Sequence, residues 1–462
     1  MNENPIGYEK IPKLLKQFAI PSIVATLVSS LYNIVDQVFI GQGVGYLGNA
    51  ATNVSYPLST ICLAISLLLG IGSAARFSIC LGKGESKQAA DIAGNGIALM
   101  FLIGICYLIL GELFLTPLLR IFGATSQILP YAQQYAGITL IGMPFLILTN
   151  GICNLIRADG SPKYSMLCMV SGAIVNTILD PVFIFGFNWG VFGAALATIL
   201  GQFLSFFMAV RYLWKFNHIH FTRKHLRVNL RDSLITMYMG TSSCVNQLAI
   251  TVVQIVLNNS LTYYGALSVY GEDIPLAACG IVMKTNAILL SIIVGISQGV
   301  QPIISFNFGA GKYDRVKKAY LLAISWNAVV SIIGFCAFQF FPQQIISLFG
   351  NGDELYFEFA VLFMRTFLFM VIVNGVQLLS SNFFTAIGKA LKGLFLSMTR
   401  QVFFLIPLIL ILPLKLGVFG VLLAGPIADF IAFVVSILLV KKEFRLLSQA
   451  KKKMVAEQKD SA

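Results

Sequence analysis

Five polar side chains in the first half of the chain lie inside long apolar stretches, where they could bind a proton or a cation. Two are acids, Asp36 in LYNIVDQVFIG and Asp180 in VNTILDPVF. Asn176 lies four residues before Asp180, hence on the same helix face. Pro181 cannot donate to the carbonyl of Thr177, which frees a further oxygen beside these groups. If the stretches cross a membrane, each ionised acid costs at least about 2.5–3.5 kcal/mol and is a candidate functional residue.

The other two side chains, Tyr135 and Thr198, are expected at the same depth as the acids. Asp36 and Asp180 lie near the outer ends of their predicted helices, Tyr135 lies near the outer start of the fourth helix, and Thr198 lies about two turns into the sixth. Hard oxygen ligands of this kind suit a proton or a small hard cation. The alternative is that each acid caps a helix or pairs with a basic residue. No basic residue is expected at that depth in this half, which favours an ion site.

The composition indicates that a membrane protein positions these side chains. Of 462 residues, 57% are hydrophobic and 11% charged, and the mean hydropathy is +0.83, whereas soluble domains are about one quarter charged. The net charge of +13 does not indicate nucleic-acid binding, because the charges lie in loops between apolar spans. The polar N-terminus lacks a short apolar core with a small-residue cleavage site, so we expect no cleaved signal peptide.

The apolar stretches predict twelve transmembrane helices, each long enough to cross a hydrocarbon core of about 30 Å, which needs about 20 residues. They cover residues 14–40, 49–81, 92–115, 131–156, 164–186, 191–214, 233–265, 274–307, 317–341, 357–384, 392–412 and 418–440. With a cytoplasmic N-terminus, 26 of the 32 Lys and Arg residues lie on the cytoplasmic side and 2 on external loops. This asymmetry follows the positive-inside rule and places both termini in the cytoplasm.

The two halves of the chain repeat one another. The segment GVFG at 190–193 recurs at 417–420, and Gly82-x-Gly84 recurs as Gly309-x-Gly311, both at an offset of 227 residues. Six helices per half is an even number, so the halves insert the same way round about an axis along the membrane normal, with the substrate site between them. We expect the following divisions: an N-lobe over 1–215, a connector over 216–232, a C-lobe over 233–440 and a basic cytoplasmic tail over 441–462.

The second half carries a different set of intramembrane charges. Lys284 and Asp429 are both expected near mid-depth, with Arg400 close to them. The economical interpretation is a Lys284–Asp429 ion pair that lines the central cavity, and the alternative is a structural pair buried within the bundle. Arg76 and Arg365 could extend to a membrane surface, and we assign them no role.

Metal and enzyme chemistry find no support in the sequence. The eight cysteines lie in apolar stretches without a CxxC pair, and the three histidines crowd one basic loop, so neither forms a recognisable metal site. No nucleophile–base constellation and no P-loop appears. We therefore expect no enzyme and no cofactor.

The chain resembles the multidrug and toxic compound extrusion (MATE) family, in its bacterial branch. The resemblance covers essentially the whole chain and depends on the order and spacing of several short motifs on a twelve-helix duplication. These motifs are YNIVDQVFIGQGVG, RADGSPK, NTILDP, GVFGAALAT, QPIISFNFGAGKYDRVKKA and RQVFFLIP.

The resemblance implies an all-α protein of two six-helix lobes around a central cavity, working as an antiporter of the bacterial cytoplasmic (inner) membrane. Inward flow of H⁺ or Na⁺ would drive export of small cationic or amphipathic compounds, and the protein would be monomeric. The family's ion-coupling residues match Asp36, Asp180, Asn176, Thr198 and Tyr135. A sodium site in the second half is not expected, since helix 7 has no acid and helix 10 only Glu358.

Two other functions stay open at this point. One is a lipid-linked oligosaccharide flippase of the same superfamily, although such proteins typically have more helices and a more cationic cavity. The other is an intramembrane channel or enzyme. The acid pair in the first half favours the antiporter.

Overall fold

The computed structural model describes residues 4–349 and 353–460, and within these ranges the chain is almost entirely helical and has no β-strand. Eleven helices are long and apolar enough to cross a membrane, and a bent pair makes a twelfth, so the predicted all-α fold is confirmed. We number the spans α1 to α12. They are α1 Ile11–Val44, α2 Tyr46–Lys83, α3 Ser86–Leu113, α4 Leu129–Ala158, α5 Pro162–Pro181, α6 Gly190–Tyr212, α7 Leu230–Ala266, α8 Asp273–Gly309, α9 Tyr313–Phe340, α10 Glu354–Phe367 with Val371–Ala386, α11 Ala390–Met398 continued by Thr399–Leu405 and Ile406–Ile411, and α12 Val418–Asp460.

The sequence repeat is also a repeat of backbone conformation. Gly84, which ends α2, has φ of 80°, and Gly311, its counterpart after α8, has φ of 70°. Gly190, the first residue of α6, and Gly417, which precedes α12, have φ of 53° and 59°. Side chains are disfavoured at these angles, so the glycines mark turns that both halves require.

Two spans differ from the prediction. The helix predicted over 357–384 bends by 49° at Leu368–Met370, with neither Pro nor Gly at the break. There Gly425 of α12 packs against Phe367. The helix predicted to end at residue 440 continues to Asp460, and its buried Glu443 accepts hydrogen bonds from Lys389, which precedes α11, and from Lys392 in its first turn. The beginning of the predicted tail is thus fixed to the C-lobe.

The connector folds against the C-terminal ends of α4 and α6. The buried Asp159 accepts hydrogen bonds from Tyr212 Oη at 2.8 Å and from the Asn217 backbone N–H at 2.7 Å. The His218 ring lies 3.1 Å from the same carboxylate. One acid therefore holds the chain where it leaves the first half.

The two halves pack backbone against backbone at one side of the molecule. We call α1–α6 the N-lobe, α7–α12 the C-lobe, and the side that the basic residues assign to the cytoplasm the inner side. A Cβ on Gly240 of α7 would lie 1.7 Å from the Leu68 carbonyl oxygen of α2, and one on Gly295 of α8 would lie 2.5 Å from Ile23 Cα of α1. These backbone contacts lie in the inner halves of their helices. The lobes are therefore closed against each other at the inner side.

Candidate functional site

Asp36 and Asp180 meet inside the N-lobe. Asp36 on α1 is 9% exposed and Asp180 at the end of α5 is 0% exposed, and their carboxyl groups contact each other. Pro181 follows Asp180, and the chain continues as a π-helical turn, Val182–Gly186. Such turns are frequent at functional sites. The two acids that the sequence placed at one depth are thus brought together.

Asn176 links Asp180 to Thr198. Its Nδ2 lies 3.4 Å from Asp180 Oδ1 on the same helix face and 3.2 Å from Thr198 Oγ1 on α6. The Thr198 hydroxyl in turn donates to the Ala194 carbonyl at 3.1 Å. This chain of contacts fixes the orientation of the Asn176 amide beside the acids.

Three oxygens of the site have no hydrogen-bond donor among the described residues. They are Asp36 Oδ1, Asp180 Oδ2 and Asn176 Oδ1, and all three are buried. Two carboxylates in contact repel each other, and a buried acceptor without a donor costs about 1–3 kcal/mol or more. A proton between the carboxyl groups, or a hard cation such as Na⁺ held by the oxygens, removes both penalties. The residues present therefore fit either ion.

Two tyrosines complete the surroundings of the acids. Tyr135 on α4 lies within electrostatic range of Asp36 and Asp180, as the sequence predicted. Tyr32 has the same relation to both acids, although it was not among the predicted site residues. Its position four residues before Asp36, on the same face of α1, was the available signal.

A cavity of about 80 Å³ lies beside the site within the N-lobe. Tyr32, Asn176 and Thr198 line it at the level of the acids. From there it passes inward to Met169 and Ser205, about 10 Å along α5 and α6. Most of its polar wall consists of hydroxyl and amide groups, which are contributed by Ser29, Thr149, Asn150, Gln202 and Ser205. The acids therefore adjoin a polar space inside the lobe.

The predicted Lys284–Asp429 pair is wrong. Asp429 of α12, 5% exposed, pairs with Arg400, which lies in the π-helical part of α11. Lys284 of α8 is exposed and has no hydrogen-bond or ion-pair partner among the side chains that the structure describes. Equal depth was not sufficient, because α12 packs against the π-helical part of α11, which carries Arg400.

Arg76 and Arg365, to which the sequence gave no role, make specific contacts. Arg76 of α2 donates to Asp232 Oδ1 of α7 at 2.8 Å and to the Asp232 carbonyl at 2.9 Å. This pair crosses between the lobes at the closed inner side. Arg365 donates to the Gln339 carbonyl at 3.0 Å, within the C-lobe.

The chain matches known transporters over nearly its whole length. The MatE family model matches residues 21–182 and 243–411. The multidrug export protein MepA of Staphylococcus aureus (strain NCTC 8325 / PS 47) is 25% identical, with 94% of each chain covered. YoeA of Bacillus subtilis (strain 168), described as a probable multidrug resistance protein, is 23% identical over 92% of this chain and 91% of its own length.

Solved structures show the same fold. An outward-facing multidrug resistance MATE transporter of the MOP superfamily superimposes with a TM-score of 0.90 at 21% identity, covering 97% of this chain and 99% of the other. A MATE protein in complex with MaL6 gives 0.91 at 21% identity, covering 97% and 100%. Together with the match of the family model to both halves, the twelve-helix architecture shows that the chain belongs to the MatE family of multidrug and toxic compound extrusion transporters.

Proposed function

We propose that this protein is an ion-coupled antiporter that exports cationic or amphipathic small molecules by alternating access. The observation that carries the proposal is the buried Asp36–Asp180 pair, in which Asp36 Oδ1 and Asp180 Oδ2 have no donor among the described residues. A site of this kind changes its net charge when it binds or releases H⁺ or Na⁺. Asn176, Thr198 and Tyr135 orient and surround the two acids.

Coupling requires that the ion-bound and ion-free forms favour different arrangements of the lobes, because an ion shifts an equilibrium only through its differential affinity. In this structure the inner side is closed by backbone contacts and by the Arg76–Asp232 pair. Opening to the cytoplasm must break both. The α1 helix carries Asp36 and also contacts α8 of the C-lobe, through a hydrogen bond from Thr26 Oγ1 to the Ser291 carbonyl at 2.8 Å. It therefore connects the ion site physically to the interface that moves.

The proposal is tested with purified protein in liposomes that contain ethidium. A pH gradient in Na⁺-free buffer and a Na⁺ gradient at equal pH are imposed in separate experiments. We expect one of the two gradients to drive ethidium uphill, and that gradient identifies the ion. If ethidium moves only down its own gradient under both conditions, coupled transport is refuted.

The proposed orientation places both termini in the cytoplasm of a bacterial inner membrane. A cysteine at Asp273, before which the chain turns on the outer side, should react with an impermeant thiol reagent in intact cells. A cysteine at Lys318 should react only after lysis. The exposed Cys106 must first be replaced, because it could contribute background labelling. The reverse labelling pattern would overturn the orientation.

A further inference from the structure

Lys284 is an exposed lysine of α8, about 16 Å from the outer end of that helix, and none of the described side chains neutralises it. An ammonium that faces lipid at this depth costs at least about 2.5–3.5 kcal/mol. The direction in which Lys284 points follows from the geometry of α8. Ser291 and Gly295 lie seven and eleven residues further along α8, so they share the face of Lys284 to within about 20° at 100° per residue.

That face of α8 is the one that contacts the N-lobe. Ser291 accepts the hydrogen bond from Thr26 of α1, and Gly295 packs against Ile23. Lys284 lies about 10–16 Å further toward the outer side on the same face, where it is exposed instead of covered. The ammonium therefore points into the space between the lobes, which is closed below it and open at its own level.

The surroundings of Lys284 leave room for a ligand. The neighbouring positions on this face, Ala277, Gly280 and Ala287, are small and exposed, and nothing lies within 4 Å of a Cβ built on Gly280. A long cation between small apolar residues gives a point charge on an otherwise apolar surface. This combination suits an amphipathic molecule with one acidic group.

No acid of the described chain is placed to neutralise this charge. The facing side of α1 continues outward from Ile23 and Thr26 as Ser30 and Asn33, both polar and uncharged. Asp36 is buried against Asp180 inside the N-lobe. Asp429 of α12 is already paired with Arg400.

We propose that Lys284 is a substrate-binding residue of the central cleft and that it selects amphipathic compounds carrying a carboxylate over their neutral-ester counterparts. This inference rests on the proposed export function and refines its substrate class. A zwitterion, which carries a cationic group and a carboxylate, meets this requirement as well as a simple organic anion does.

The test compares two dyes that differ in one methyl ester, rhodamine 110 with a free carboxylate and rhodamine 123 with the ester. Binding to purified protein is measured by fluorescence polarisation without any ion gradient. We expect Lys284→Met to weaken binding of rhodamine 110 about tenfold, equivalent to about 1.4 kcal/mol, and to leave rhodamine 123 unchanged. Lys284→Arg should retain the preference, and Lys415→Met, at an exposed lysine of an outer loop, serves as the control.

Equal losses for both dyes, or no loss for either, overturn the inference. A second measurement needs no variant: added salt should weaken binding of rhodamine 110 more than that of rhodamine 123 to the wild-type protein, since salt screens a solvent-accessible ion pair. An equal effect of salt on both dyes also overturns it. Because binding is measured without a gradient, failure of coupled transport in liposomes and failure of charge selection are separate results.

Discussion

At the scale of single residues, the structure pairs Asp429 with Arg400, whereas the sequence predicted a pair with Lys284. Removing one partner of a buried pair leaves an uncompensated charge and costs about 3–5 kcal/mol. Arg400→Gln and Asp429→Asn should each lower the melting temperature of the purified protein, and the double variant should recover most of the loss. Lys284→Met, the change at the partner predicted first, should have little effect on stability.

A double-mutant cycle measures whether Arg400 and Asp429 interact. Strictly additive losses for Arg400→Gln and Asp429→Asn would show that the two side chains do not interact. A coupling between Lys284 and Asp429 instead would restore the pairing that the sequence predicted.

The residues show what depth along a helix can and cannot predict. Asp36 and Asp180 were correctly expected to meet, because both are acids near the outer ends of their helices and no base lies at that level. Lys284 and Asp429 were also expected to share a depth, yet Asp429 pairs with Arg400 because α12 packs against the π-helical part of α11, and such packing has no local sequence signal. Tyr32 could have been found from its spacing to Asp36 alone.

At the scale of elements, the connector carries a titratable contact. The hydrogen bond to Asp159 raises the pKa of His218 above its ordinary value of 6.5. A raised pKa in the folded state means that the contact stabilises fully below pH 6.5 and that this contribution is lost as pH rises through the folded-state pKa. Proteolytic cleavage within residues 216–226 should therefore become faster between about pH 6 and pH 8, relative to His218→Gln at the same pH.

His218→Gln is the matched control, because it keeps a polar side chain and removes the titration. The ratio of the two cleavage rates isolates the effect of His218 from the pH dependence of the protease. A constant ratio across this range would show that the His218–Asp159 contact does not contribute to the stability of the connector.

The bend in α10 is an element that the sequence did not reveal. Residues 365–371 contain no Pro or Gly, the usual local causes of a sharp kink. The helices themselves were predictable from apolar length, and the positive-φ glycines at 84 and 311 from the repeat. The bend lies where Phe367 meets Gly425 of a distant helix, and such a contact has no local sequence signal.

At the scale of the whole molecule, close backbone packing keeps the inner side closed. A methyl group on Gly240 would lie 1.7 Å from the Leu68 carbonyl, so Gly240→Ala must move the lobes apart there. Electron-spin distances between labels at Lys87 and Lys318, one on the inner side of each lobe, should lengthen and broaden. Gly280→Ala adds the same group where nothing lies within 4 Å, and it should leave the distances unchanged.

The Gly240→Ala experiment tests whether the contact between α2 and α7 keeps the inner side closed. If Gly240→Ala leaves the Lys87–Lys318 distances of the wild-type protein unchanged, the contact between α2 and α7 does not hold the inner side closed. The Arg76–Asp232 pair would then be the next contact to remove.

The central claim is that Asp36 and Asp180 form one ion-coupling unit, and Asp180→Asn tests it most directly. Asparagine keeps the shape of the side chain but cannot change charge, so the purified variant should fold and bind ethidium yet fail to move it under the gradient that drives the wild-type protein. Asp36→Asn should behave in the same way, and the double variant should be little worse than either single one. Glu272→Gln, at an exposed acid on the outer side, should transport normally. Gradient-driven ethidium export by Asp180→Asn at a rate near that of the wild-type protein would contradict the account.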